Sequence, residues 1–335
     1  MPLRDQELIK SGELSDKMYL CGNILIIMKN LLLLLLLAAC IGCETPSENE
    51  KNEVDSTTNE VAYEPSTAPA RNLSQDFKDY WYAGVAEICS YELNQSRYGQ
   101  NRPGDAVLIF VTEPFNPVDQ VKADAQNDTN RSVLKLNATR NFNTGIYPYT
   151  IMSSTFLPLD KQDNAIKVAT SIQEWCGHTY MQLNNRQDQY DVMLHSYFQS
   201  EGNKEFAVDN VMLENQVPSQ LRLDPRSMPI GQIKMIPSTE YLRLVHKETK
   251  AMDATASLIE NQDNLIYNIK YNDDSRSIAY TVESAFPYKV MSWEETYQER
   301  GRTATTTAQL KETLRTAYWS QNSNEYNYLR DSLAL

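Results

Sequence analysis

Between residues 106 and 283 the chain repeatedly places apolar side chains at every second position or in short unbroken runs. "AVLIFV" (106–111) is unbroken, and "SVLKLNAT" (132–139) alternates, with Leu134, Leu136 and Ala138 on one side. "AIKVATSIQEWCGH" (165–178), "QYDVMLHSYF" (189–198), "EYLRLVH" (240–246), "LIYNIKY" (265–271) and "SIAYTVE" (277–283) follow the same rule. A period of two turns successive side chains to opposite faces of a strand. A chain with this many half-buried strands must build a large antiparallel sheet, one face packed and one wet. Such a sheet curls into a barrel or half-barrel, or folds into a sandwich.

Turn chemistry separates the segments at Pro103-Gly104, Gly202-Asn203 and Asn272-Asp273-Asp274, the last predicting a hairpin. "TEPFNP" (112–117), with two prolines, reads as a rigid loop. Helical signals sit at the two ends. Ser74 is placed to cap "QDFKDYWYAG", which Gly84 would stop. In "TTTAQLKETLRTAYW" (305–319), Leu310, Leu314, Ala317 and Tyr318 recur at helical spacing. The expectation is an α+β fold, mostly antiparallel β, with a C-terminal helix packed on a large curved sheet.

The N-terminal region answers to a different rule. Leu31 to Cys43 is an apolar run of thirteen residues, short of the roughly 20 that a spanning helix needs. A basic start (Met28-Lys29-Asn30), an apolar core and small residues before a cut make a secretory signal. Leu37-Ala38-Ala39-Cys40 resembles a bacterial lipobox, which implies that Cys40 is lipidated and begins the mature chain, with Cys43 as the alternative. The acidic stretch before Met28 is foreign to a signal, so translation is expected to start at Met28 or at Met18. Residues 1–39 are then a signal region. Residues 40–72, with seven acids, two bases and three prolines after Cys40, form a disordered tether. Residues 73–335 form one β-rich domain anchored to the membrane by lipid.

The net charge is −13, and the four basic and four acidic residues before Cys40 cancel. A surface this acidic argues against nucleic acid as a partner. It suits neutral or cationic ligands, or proteins. The sequence contains no HExxH, GxxxxGK[ST], GxGxxG or GxSxG signature, and only three histidines. No metal or cofactor is expected.

One cluster has the residue types for chemistry: "EWCGH", Glu174 to His178. In an unbroken strand Glu174, Cys176 and His178 would share a face, as a thiolate–imidazole site or three ligands of a metal would require. The structural alternative turns Trp175 inward, makes Gly177 a bulge, and leaves Cys176 as a small core residue or a disulfide partner of Cys89. Tyrosine is in excess, at twenty residues, and "DYWYAG" and "GIYPYT" concentrate it. Trp81, Tyr82, Tyr147, Tyr149 and Trp175 are therefore candidate ligand-lining residues.

"YWYAGVAEICSYELNQSRYG", "AVLIFVTEPFNP", "NFNTGIYPYTIMSSTF" and "SIQEWCGHTYMQLNNR" resemble a group of Bacteroidota envelope lipoproteins, some of them labelled septum formation inhibitor Maf. The resemblance implies an outer-membrane-anchored protein, periplasmic or at the surface. Maf pyrophosphatases carry a Ser-x-Ser-Pro-Arg-Arg-like loop that this sequence lacks, so no catalytic residue is carried over. The closing "YTVESAFPYKVMSWEE" is similar in pattern to lipid-carrying half-barrels of the LolA/LolB type. The leading expectation is a lipid-anchored envelope protein that binds a hydrophobic ligand or a protein partner without catalysis. An envelope hydrolase or thiol enzyme using Cys176 and His178, and a purely structural lipoprotein, are the alternatives.

Overall fold

The computed structural model describes residues 65–125 and 127–335. The signal region, Cys40, Cys43 and most of the tether lie outside the described residues. In chain order the strands are β1 (Ala86–Arg97), β2 (Gln100–Asn116), β3 (Val121–Lys122), β4 (Arg131–Thr144), β5 (Tyr147–Pro158), β6 (Lys167–Glu174), β7 (Gly177–Asn185) and β8 (Gln189–Ser196). They continue as β9 (Asn203–Asp209), β10 (Met212–Leu213), β11 (Gly231–Ile236), β12 (Met252–Glu260), β13 (Asn264–Tyr271), β14 (Arg276–Glu283), β15 (Val290–Glu299) and β16 (Arg302–Thr316). The helices are short: α1 (Gln75–Trp81), α2 (Val217–Leu221), α3 (Thr239–Leu244) and α4 (Tyr328–Asp331).

All sixteen strands belong to one curved, unclosed sheet. Its path runs β10-β11-β12-β13-β14-β15-β16-β1-β2-β4-β5-β6-β7-β8-β9, with β3 beside β2. The pairing is antiparallel except between β10 and β11. The centre is closed by the first and last long strands, with Ala86 opposite Thr316 and Asn94 opposite Thr307.

The expected α+β class, dominated by antiparallel sheet, is what the chain builds. "AVLIFV" lies in β2, with only Ile109 not fully buried. Ser74 caps α1 by accepting from the Phe77 amide at 3.1 Å, and Asn272-Asp273-Asp274 turns β13 into β14.

Four local expectations are corrected. Residues 305–319 fall mostly in β16, whose Ala304, Thr306 and Ala308 are buried at a period of two. The C-terminal helix is instead the single turn α4, after which Leu333 packs on Ile88 and Val107. Residues 240–246 fall mostly in α3, capped by the Ser238 hydroxyl, and not in a strand. Pro103-Gly104 does not turn. It lies inside β2, where a Cβ on Gly104 would stand 2.2 Å from the Asn141 carbonyl oxygen, so glycine permits close strand approach. "TEPFNP" also continues β2 as far as Asn116.

Short helices and loops of the chain pack against one face of the sheet. Val217, Leu221, Met228 and Leu244 share one buried cluster with Leu108, Phe110, Leu136, Tyr267, Ile278 and Trp293. Tyr241 and Leu242 share another with Val168, Met181, Leu183 and Tyr190. Two buried ion-pair groups fasten these segments to the sheet. Arg276 binds both Glu214 at 2.5 Å and Glu295 at 2.9 Å, and the Arg222 guanidinium chelates the Glu87 carboxylate. Buried charges must be paired to be tolerated. Among the described residues no helix is long and apolar enough to cross a membrane.

The last part of the expected tether is placed. Ser66 Oγ donates to Asp163 at 2.6 Å, Ala70 bridges to Lys161, and the Gln162 amide donates to the Pro69 carbonyl at 2.9 Å. Residues 65–71 therefore run along the β5–β6 connection, at one pole of the sheet.

Candidate functional site: an aromatic rim

At the other pole five neighbouring hairpins turn. The closing pairs are Glu299–Arg302, Arg97–Gln100, Thr144–Tyr147, Glu174–Gly177 and His195–Asn203. The length of β5 separates this rim from residues 65–71, about 36 Å at ~3.3 Å of rise per residue.

The rim carries large apolar side chains in water. Ile146 is 85 % exposed, Trp175 68 % and Tyr197 67 %, and Tyr98 is also exposed. An aromatic ladder links the core to the surface. Phe142 stacks on Tyr149 with centroids 4.9 Å apart, Tyr149 lies 6.0 Å from Tyr147, and Tyr147 stacks on Trp175 at 6.3 Å. The Tyr98 and Tyr149 hydroxyls are 2.8 Å apart. The Arg97 guanidinium lies 4.3 Å from the Tyr98 ring centroid, and Arg300 lies 5.4 Å from it. These contacts hold the inner rings rigid and leave Trp175 as the free outer face.

Tyrosine at the tips follows from the turns. Tyr98-Gly99 forms a two-residue connection with both residues at positive φ, 55° and 71°, a hairpin geometry that glycine favours. Gly177 serves a different need: a Cβ there would stand 2.4 Å from the Tyr197 ring. The bare glycine lets the β8–β9 tip lie against the β6–β7 tip.

Three of the five aromatic candidates, Tyr147, Tyr149 and Trp175, meet at this rim. The other two lie at the opposite pole. Trp81 is buried in the core, and Tyr82 is exposed with its hydroxyl 3.0 Å from Ser132 Oγ.

Glu174, Cys176 and His178 do not share a strand face, because Trp175-Cys176 is the turn between β6 and β7. Glu174 ends one strand, His178 belongs to the next opposite Gln173, and both Cys176 and His178 are exposed. Glu174 Oε2 accepts from the Cys176 amide at 2.7 Å. The Glu174 carboxylate raises the Cys176 thiol pKa above its ordinary value, with a smaller contribution from desolvation. A thiol nucleophile needs the reverse shift. Cys89 is buried and free, and Cys176 is free; burial, together with the Glu87 charge, pushes the Cys89 thiol up to about 12. Gly177 marks a close approach and not a bulge. Among the described residues no group of three or more His, Cys, Asp or Glu side chains is arranged to hold a metal.

Sequence reading missed Tyr98, Ile146 and Tyr197. Each stands next to a turn glycine or in a tip loop, and an aromatic or aliphatic residue at a predicted turn was the available signal. No protein family model matches the chain, and no curated protein or solved structure is significantly similar to it.

Proposed function

We propose that this chain is a lipid-anchored cell-envelope protein that docks a protein partner on its aromatic rim without catalysis. The observation that carries this reading is the gathering of exposed Ile146, Trp175, Tyr197 and Tyr98 on adjacent hairpin tips. Single exposed apolar residues are ordinary, but a contiguous group marks an interaction surface. Trp, Tyr and Arg are the residues that dominate binding energy in protein interfaces. A protruding Ile146 suits a pocket in another protein. Residues 65–71 lie at the pole opposite this rim. Carriage of a hydrophobic ligand has less support, because the chain's own helices and loops cover the sheet face that carries the main apolar cluster.

The test is site-specific photocrosslinking in cells. A crosslinker at Ile146 is expected to give a discrete adduct that W175A abolishes. A crosslinker at Val118, 54 % exposed at the other pole, is expected to give none. Identical products from both positions, or none from position 146, would refute docking at the rim. In parallel, C40S is expected to lose labelled palmitate; retained labelling would move the anchor from Cys40.

A further inference from the structure

The sheet is unclosed, and β9 stands at one end of its strand order. The two ends of the β8–β9 ladder show which way its backbone groups point. The Ser196 amide donates to the Gly202 carbonyl at 3.2 Å, and the Asn210 amide donates to the Asp188 carbonyl at 3.2 Å. In an antiparallel ladder the bonded pairs recur at every second residue. With Leu194 opposite Lys204 and Tyr190 opposite Val208, the residues of β9 that bond β8 are Lys204, Phe206 and Val208. Asn203, Glu205 and Ala207 therefore turn their N–H and C=O groups away from the sheet. Among the described residues no other strand pairs with them.

Proteins blunt such an edge with proline, a bulge, a very short strand or charge. β9 has seven residues, no proline and an unbroken register with β8, so charge is the guard. Glu205, Ala207 and Asp209 are exposed and share one face. Phe206 and Val208 lie on the other, half-buried against the cluster that holds Leu183, Tyr190 and Val192. Asp191, opposite Ala207, is matched by Arg186 at 3.3 Å, which leaves Glu205 and Asp209 as the uncompensated charges of the edge.

These charges select the occupant. A second copy of β9, paired antiparallel about Ala207, would set Glu205 opposite Asp209 twice, and like charges directly opposite are destabilising. A strand with Lys or Arg at those two places meets attraction instead. The edge is also continuous with the rim: the β8–β9 tip carries the exposed Tyr197, and Asn203 leads from that tip into β9.

We propose that the outer edge of β9 takes up an extended segment of the partner that docks at the rim, added as a further antiparallel strand; this rests on the rim as a protein-docking surface. The segment carries Lys or Arg opposite Glu205 and Asp209, four residues apart, with apolar residues between them that extend the row of Phe206 and Val208.

The probe is a blocked, fluorescein-labelled heptapeptide with lysine second and sixth, valine third and fifth, and threonine elsewhere. It is titrated into the mature chain and followed by anisotropy. Saturable binding is expected. Glutamate in place of both lysines should weaken it about tenfold, as two cross-strand charge pairs turn from attraction to repulsion, and E205K/D209K should reverse the preference. Methylating the peptide amide of the fourth residue, which faces Ala207, should abolish binding, whereas methylating that of the third, which faces away, should not. No binding, equal binding of the lysine and glutamate peptides, or equal effects of the two methylations overturns the added strand. The rim is read separately through the adduct at Ile146. A207P removes an outward amide and no bond to β8, so it should weaken that adduct while the melting temperature is kept. An undiminished adduct in folded A207P overturns the added strand but leaves the rim standing. No adduct on the wild-type protein overturns the rim, and with it the partner proposed for the edge.

Discussion

Replacing Arg222 with methionine examines the clasp between the α2 segment and the sheet. The Arg222 and Glu87 side chains are both 0 % exposed. Arg222 Nη2 donates to Glu87 at 2.9 Å and its Nε to the Pro287 carbonyl at 2.8 Å. Its guanidinium lies 4.9 Å from Trp81 and 5.0 Å from Phe110. Methionine keeps much of the packing but leaves a buried carboxylate with only the Tyr80 hydroxyl and the Cys89 thiol as side-chain partners. Removing one member of a buried pair costs about 3–5 kcal/mol. A second route gives a similar figure. Burial pushes the Glu87 pKa up, but Arg222 overrides it and holds the carboxyl at about 2 instead of 4.5, worth roughly 3 kcal/mol by linkage. For a domain of this size the melting temperature should fall by roughly 6–20 °C.

The pH dependence gives the sharper signature. In the wild-type protein Glu87 titrates lower folded than unfolded. Its contribution is therefore complete above pH 4.5 and lost as pH falls towards 2. In R222M burial, the largest influence on Glu87, is opposed only by the Tyr80 and Cys89 hydrogen bonds and raises its pKa relative to the wild type, so acidification relieves the defect. The wild-type-minus-variant difference should be largest near pH 7–8 and shrink towards pH 4. Glu295 is also held at about 2, but it contributes to both proteins and cancels in that difference. Thermal melts by far-UV circular dichroism across pH 3–8, completed with E87Q and the E87Q/R222M double variant, measure the coupling. A loss below about 1 kcal/mol, against the 3–5 kcal/mol expected of a buried pair, or an R222M profile parallel to the wild type, would refute the clasp.

Two further outcomes follow from the tips and the thiols. Iodoacetamide on the native protein should label Cys176 and spare Cys89 until denaturation; E174Q should speed Cys176 labelling at pH 7, because it removes the carboxylate that raises the thiol, and an unchanged rate would contradict that cause. G177A should displace the Tyr197 ring that occupies the Cβ position, which a shifted Tyr197 ring resonance in NMR would report, with no change expected at Trp81 as the distant control.

Much of the sheet was legible because half-buried strands impose a period of two, as in 132–139 and 265–271. The errors share a physical cause. Trp175-Cys176 turns without Gly, Pro, Asn or Asp at its centre, so β6 and β7 read as one strand. Leu310, Leu314 and Ala317 fall at helical spacing, while the buried set that decides the matter is Ala304, Thr306 and Ala308, made of small residues that carry little hydrophobic signal. In 240–246 the alternating pattern hides a helix that the Ser238 hydroxyl caps. The rim was half legible. Tyr147, Tyr149 and Trp175 stood out by type, but bringing them beside Tyr98 depends on strand order.

The pairing of β1 with β16 at the centre of the sheet also sets the order of events in biosynthesis. Their partners are more than two hundred residues apart, as with Ala86 and Thr316. Such non-local closure is slow, because the loop entropy precedes the reward. Until residues 302–316 are in place, β1 has a bare edge and the middle of the sheet stays open. A chain cut before β16 loses the seam that joins its two halves, and it exposes an edge strand ready for aggregation. Completion of this fold is therefore timed by the last long strand.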